Sequence, residues 1–127
     1  MIVVPLAAQE LIARLVVESE PLILKLFVND HVPGNLDTAA TFTEPVGGGY
    51  AAIRMAGDDW GIAVKDQVVQ ILGRRHVFTF TEAQTVRGYF IVQAISGIIL
   101  GAERFWTPSQ GAQLAVTPRL DVTARRF

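Results

Sequence analysis

Two glutamates recur in a repeated phrase. Thr41-Phe42-Thr43-Glu44 runs ahead of Gly49-Tyr50, and Thr79-Phe80-Thr81-Glu82 runs ahead of Gly88-Tyr89. Carboxylates in matching positions could act as the acid and the nucleophile or base of a glycoside hydrolase, provided both face one cleft at about 5–9.5 Å. The competing reading is a structural or salt-bridging role in two similar strands. No other group in the chain completes a catalytic set. His31 and His76 each stand alone in sequence, and a catalytic histidine needs a nucleophile to activate and a carboxylate to orient it. They read as a turn residue and a strand-end residue.

The remaining chemistry-bearing types point the same way. A zinc site needs three or four His, Cys or carboxylate ligands, and the chain has two histidines and no cysteine. Gly47-Gly48-Gly49 lacks the Lys-Ser or Lys-Thr of a phosphate loop and leads into a strand-like run, so it reads as a turn or bulge. Asp58-Asp59 with Asp66 does not match the spacing of a calcium loop and reads as solvated turns. Trp60, Trp106, Tyr50 and Tyr89 could form a sugar-binding platform, although aromatic residues at strand positions belong more often to a core. Phe105-Trp106, followed by Thr107-Pro108, is the best candidate for an exposed aromatic anchor in a protein interface. No catalytic, cofactor-binding or metal site is therefore expected.

The elements that must position these residues follow from periodicity. Residues 5–18 read as a helix, with Pro5 in its first turn and Ala8, Leu11, Ile12, Leu15 and Val16 at i, i+3, i+4 spacing. A helix this short must dock on the rest of the chain or on a neighbour. Leu22, Leu24, Leu26 and Val28 alternate with Ile23, Lys25, Phe27 and Asn29, which predicts a strand with one apolar face. Pro33-Gly34 predicts a type II turn. Residues 41–44, 50–55 and 76–82 read as further strands, with Phe78 and Phe80 on one face, and 60–65 and 67–72 read as two short strands or as one strand bent near Asp66. Residues 87–94 and 98–105 predict a hairpin across Ser96-Gly97. The last strand, 112–125, alternates most strictly, with Leu114, Val116, Pro118, Leu120, Val122 and Ala124 on one face. Pro118 cannot donate to a ladder and belongs at an edge or bulge.

The chain is mainly β by this reading: an antiparallel β-sandwich or jelly-roll-like domain at 20–127, behind a helical segment at 1–19. Its 127 residues suit one domain with a core that needs no staples. Charge is balanced, 11 basic against 12 acidic residues for a net −1, so no nucleic-acid footprint is expected. All basic residues but Lys25 and Lys65 are arginine, the type favoured in interface ion pairs, though codon bias accounts for that equally well. Half of the residues are hydrophobic and only 18% are charged, against roughly 25% in ordinary soluble domains. Some apolar surface is therefore expected to lie against other chains. No apolar run reaches the ~20 residues of a membrane span. Met1-Ile2-Val3-Val4-Pro5 has no basic residue ahead of its apolar stretch, which argues against a signal peptide.

Six stretches, in order, carry a family resemblance: Leu26-Phe27-Val28-Asn29, Thr41-Phe42-Thr43-Glu44 with Gly49-Tyr50-Ala51, Gly88-Tyr89-Phe90-Ile91-Val92, Gly101-Ala102-Glu103-Arg104-Phe105 and Val116-Thr117-Pro118-Arg119-Leu120. Over roughly residues 22–123 the chain resembles small structural proteins of tailed bacteriophages, including phages of cyanobacteria. The N-terminal helix lies outside the match. The resemblance implies a virion component without enzymatic activity, assembled in the host cytoplasm. Its first implication is a capsid cement or decoration protein on the major capsid protein, self-associating, with a trimer favoured. The alternative is a tail, baseplate or head-fibre component, with or without glycan binding. The expected contact residues are Leu11 and Leu15 of the helix, Phe105 and Trp106, and Leu114, Arg119, Arg125 and Arg126 of the C-terminal strand. Neither nucleic acid nor membrane is an expected partner.

Overall fold

The computed structural model describes residues 3–122. Helix α1 spans Leu6–Ser19, entered from Pro5, whose φ of −61° leads into the helix without a side-chain cap. Pro21 forces the preceding Glu20 into an extended conformation and ends it. The Glu20 carboxylate then accepts hydrogen bonds from the Ile95 and Ser96 amides at 2.8 and 3.0 Å, tying the helix end to a distant loop.

The chain is mainly β, with antiparallel sheets in a sandwich-like arrangement and one short N-terminal helix. The strands are β1 (Leu22–Phe27), β2 (Ile53–Met55), β3 (Trp60–Lys65), β4 (Val68–Gly73), β5 (His76–Thr79), β6 (Val86–Gln93), β7 (Ile99–Ser109), β8 (Gln113–Val116) and β9 (Arg119–Val122). They form a four-stranded sheet in the order β2-β1-β6-β7, a three-stranded sheet β3-β4-β9 and a β5-β8 pair. The alternation in β1 does what period 2 requires: Leu22, Leu24 and Leu26 all point into the main core and are fully buried. Met55, Tyr89 and Ile91 join them from the same sheet. Trp60, Val69 and Ile71 come from the second sheet, Phe78 and Val116 from the third, and Ala13 and Val17 from α1. Each fully buried Leu of this set contributes about 1.5–3 kcal/mol. The opposite face of the first sheet is covered too. Phe27, Phe90 and Val92 pack there beneath Phe42, whose ring stacks on Phe90 at 4.9 Å. Strand β6 is thus buried on both faces from Gly88 to Val92, where its sequence is a continuous run without charge.

Several expectations are corrected. Gly34 opens its turn instead of occupying its third position: the Asp37 amide donates to the Gly34 carbonyl, so Asn35-Leu36 are central. Residues 41–44 are not a ladder strand. Thr41 ends a single 3-10 turn, and the Asn29 side chain bonds the Thr41 carbonyl and the Thr43 amide in place of a second strand. Residues 50–52 stay outside β2, since Gly47, Gly48 and Gly49 all have positive φ and hold a loop up to Tyr50. The β6–β7 connection is longer than two residues: Gln93 bonds Ile98 across Ala94–Gly97, with Gly97 in the left-handed region at φ 74°. The strand expected at 112–125 divides at Thr117-Pro118, β8 pairing with β5 and β9 with β4. Pro118, fully buried, lacks the amide to continue the ladder, and the chain changes sheets there. Its alternation survives the switch, with Leu114, Val116, Pro118, Leu120 and Val122 inward and their neighbours exposed.

Candidate interaction surface

The sequence-flagged carboxylates occupy unlike places. Glu44 accepts the Tyr50 hydroxyl at 2.7 Å and pairs with Lys25 at 3.5 Å. Glu82 is exposed beyond the end of β5. The partner of the second tyrosine is Glu103, on β7, which accepts the Tyr89 hydroxyl at 2.8 Å. The two glycines of the phrase also differ. Gly49 supplies a left-handed backbone at φ 76°. Gly88 sits within β6, where a side chain would run into the Glu103 carbonyl and the Phe27 ring.

His31 does have a carboxylate, which its sequence neighbourhood did not reveal. Its Nε2 lies 2.9 Å from Asp37, which also accepts the Gly34 amide at 2.7 Å. The hydrogen bond to His31, followed by that amide, holds the Asp37 carboxyl below its ordinary range. Arg104 donates to the His31 carbonyl and pairs with Asp30 at 2.6 Å, which lowers the Asp30 carboxyl in the same way. Together these contacts pin the 30–37 loop against β7. His76 is half-buried at the start of β5, with no hydrogen bond to its buried Nε2. Asp59 caps the Ala56 amide, and Asp66 sits in the β3–β4 turn. Among the described residues no three His, Asp or Glu side chains gather in reach of one ion.

Apolar exposure is the more distinctive property. Helix α1 docks on β3 and β4 through the buried Gln9, Ala13 and Val17, a narrow stripe at i, i+4, i+8. Its large residues face outward: Leu11 and Leu15 are each 58% exposed, and Ile12, Leu6 and the preceding Val3 are exposed as well. Leu11 and Leu15 are one turn apart, with Ile12 beside them, so they make one stripe. Single exposed apolar residues need no explanation, whereas a contiguous patch marks an interaction site.

A second feature is Trp106, fully exposed at 101%. It lies where β7 leaves register with β6: Gly88 pairs with Arg104 and Val86 with Ser109, so Arg87 alone opposes 105–108. A bulge of this kind re-aims a side chain, and here it presents an indole to solvent. Trp60, the other tryptophan, is buried in the core. Phe105 and Leu114 are half-buried against that core, Phe105 lying 6.2 Å from the Tyr89 ring. Arg119 is exposed and 3.5 Å from Asp121. Arg125 and Arg126 lie outside the described residues. The structure thus brings Leu11 and Leu15 together and leaves Trp106 separate.

The third feature is a groove of about 890 Å³ along the edge of β7. Residues 99–103 form its floor. The 33–37 loop and Phe42 form one wall, and β9 with Ile12 and Val16 of α1 forms the other. No family model matches this chain, and no curated protein or solved structure matches it. No helix among the described residues is long and apolar enough to cross a membrane.

Proposed function

We propose that this chain is a non-enzymatic structural protein of a phage particle, a cement or decoration protein that stabilises capsomer junctions through contacts with the major capsid protein and with copies of itself. The observation that carries the reading is the outward apolar stripe of α1. A helix too short to be stable alone buries only Gln9, Ala13 and Val17 and leaves Leu11, Ile12 and Leu15 for a neighbour. The resemblance of the ordered short motifs to those of phage structural proteins is what suggests the virion setting. Repetition over symmetry-related sites turns modest individual contacts into strong collective binding.

The test is binding of the purified chain to DNA-expanded capsids, followed by a density map of the decorated particle. Leu11→Glu with Leu15→Glu is expected to abolish both self-association and capsid binding while circular dichroism stays unchanged. A chain that remains monomeric at every concentration and never binds expanded capsids overturns the reading. The second reading, a glycan-binding tail or fibre component, is favoured by Trp106 alone. It predicts glycan binding that is lost in Trp106→Ala.

A further inference from the structure

We propose that α1 pairs with α1 of a second copy of this chain, antiparallel and about a twofold axis that passes beside Leu11 and Ile12. The inference rests on the reading of the protein as an assembling subunit, and it names the surface, the occupant and the orientation of one contact.

Helix geometry lays out the surface. At 3.6 residues per turn, the buried Gln9, Ala13 and Val17 define the inner side of α1. Leu11 and Leu15 lie opposite them, and both are exposed. The exposed Ile12 and half-buried Ala8 border this ridge on one side. Glu10, Arg14 and Glu18 border it on the other, in a row at i, i+4, i+8. Within one copy Arg14 reaches Glu10 at 3.1 Å, and both side chains remain open to solvent. The surface is thus an apolar ridge with a small residue towards its N-terminal end, a large one towards its C-terminal end, and one charged rim.

That surface complements itself in one orientation. With the axis beside Leu11 and Ile12 and an equal rise per residue in both helices, Leu15 lies over Ala8 of the second copy, a large side chain over a small one. Leu11 lies over Ile12 of the second copy. On the rim, Arg14 comes level with Glu10 of the second copy, and the twofold makes that pair twice. Glu18 comes level with the second copy's first helical turn, which carries no acidic residue and favours a negative charge. A parallel pair would instead set Glu10 against Glu10, Arg14 against Arg14 and Glu18 against Glu18, a row of like-charge contacts. An isologous contact of this kind closes as a dimer. Two helices about 21 Å long bury less than the roughly 1,200 Å² of a standard interface, so the dimer is weak and depends on concentration. A dimer engages two sites on a shell at once, so capsid attachment weakens when the pairing is lost.

The chain has no cysteine, so introduced thiols report the pairing directly. Full-length Ala8→Cys and Leu15→Cys chains are oxidised separately and as a mixture. A disulfide-linked heterodimer is expected in the mixture, in excess of the homodimer that either variant forms alone. By sedimentation, Arg14→Glu and Glu10→Arg are each expected to weaken self-association about tenfold, since each turns both rim pairs into like charges. Mixing these two variants is expected to restore association, more fully at low salt. None of the four positions is buried, so the variants keep the fold. A heterodimeric disulfide that does not form, a Leu15→Cys homodimer that outweighs it, or an association indifferent to both charge reversals overturns the proposal. If association then persists and still depends on Leu11 and Leu15, the assembling-subunit reading stands with another orientation. A chain that is monomeric at every concentration and never binds expanded capsids ends both.

Discussion

Tyr50 and Tyr89 do the same job at two places. Each hydroxyl donates to a glutamate, Glu44 at 2.7 Å and Glu103 at 2.8 Å, and accepts a backbone amide that no ladder uses. Tyr50 takes the Leu26 amide, at the part of β1 that β2 does not reach. Tyr89 takes the Arg119 amide, joining the four-stranded sheet to β9. Burial pushes both phenols up, and the neighbouring carboxylate adds to it. The unfolded chain titrates these groups near pH ~10. In the fold they hold their protons beyond that, so the unfolded state is the first to lose protons as pH rises. Their contribution is complete below about pH 10 and falls away above it. Urea unfolding from about pH 7 to about pH 11 should show a decline that the Tyr50→Phe/Tyr89→Phe variant lacks. At neutral pH each substitution should cost about 1–2 kcal/mol, because an amide loses its acceptor and a carboxylate its donor. An unchanged alkaline decline in the double variant would exclude these phenols as its source.

At the scale of the element, the β3–β4 hairpin carries a local conflict. Asp66 and Gln67 form its two-residue turn with φ of 51° and 63°, the left-handed region that glycine adopts without penalty. Gln67→Gly should therefore raise stability by about 1 kcal/mol, seen as a higher urea midpoint with an unchanged slope. A lower midpoint would show that the Gln67 side chain contributes more than its backbone costs. The sequence left open whether residues 60–72 were two strands or one bent at Asp66, because neither turn residue is a glycine. Elsewhere, legibility followed burial on one face. β1 could be read because Leu22, Leu24 and Leu26 enter one core, and the inward set of β8 and β9 could be read for the same reason. That alternation also concealed the switch of sheets at Pro118, since both strands present the same side to the same core. Residues 41–44 misled because Thr-Phe-Thr-Glu has strand periodicity, while its partner is the amide of Asn29 instead of a second strand. The groove was not legible at all: 33–37, 99–103 and 119–122 meet only once the sheets are assembled.

At the scale of the whole molecule, the apolar excess of the composition resolves into which side of α1 faces inward. The i, i+3, i+4 pattern identified Leu11, Ile12 and Leu15 as an apolar face but could not say what it faces. Ordinary packing would turn these residues to the sheets, because burying larger apolar area releases more free energy. Here the narrow stripe of Gln9, Ala13 and Val17 meets β3 and β4, and Ala13 is completely buried. The free energy of burying the larger, exposed Leu11, Ile12 and Leu15 is therefore available only to a second surface. This inversion sets opposite expectations for neighbouring positions. Ala13→Leu forces new methylenes into a closed contact and should cost about 1–3 kcal/mol of folding stability. Leu11→Ser with Leu15→Ser removes more apolar volume, yet should change the stability of the dilute monomer by no more than about 0.5 kcal/mol. The same pair should abolish any dependence of the melting temperature on protein concentration, because association stabilises only the folded state. Thermal unfolding of both variants across a wide concentration series distinguishes the cases. A large loss of monomer stability in the serine pair would place Leu11 and Leu15 in the intramolecular core and remove the interface.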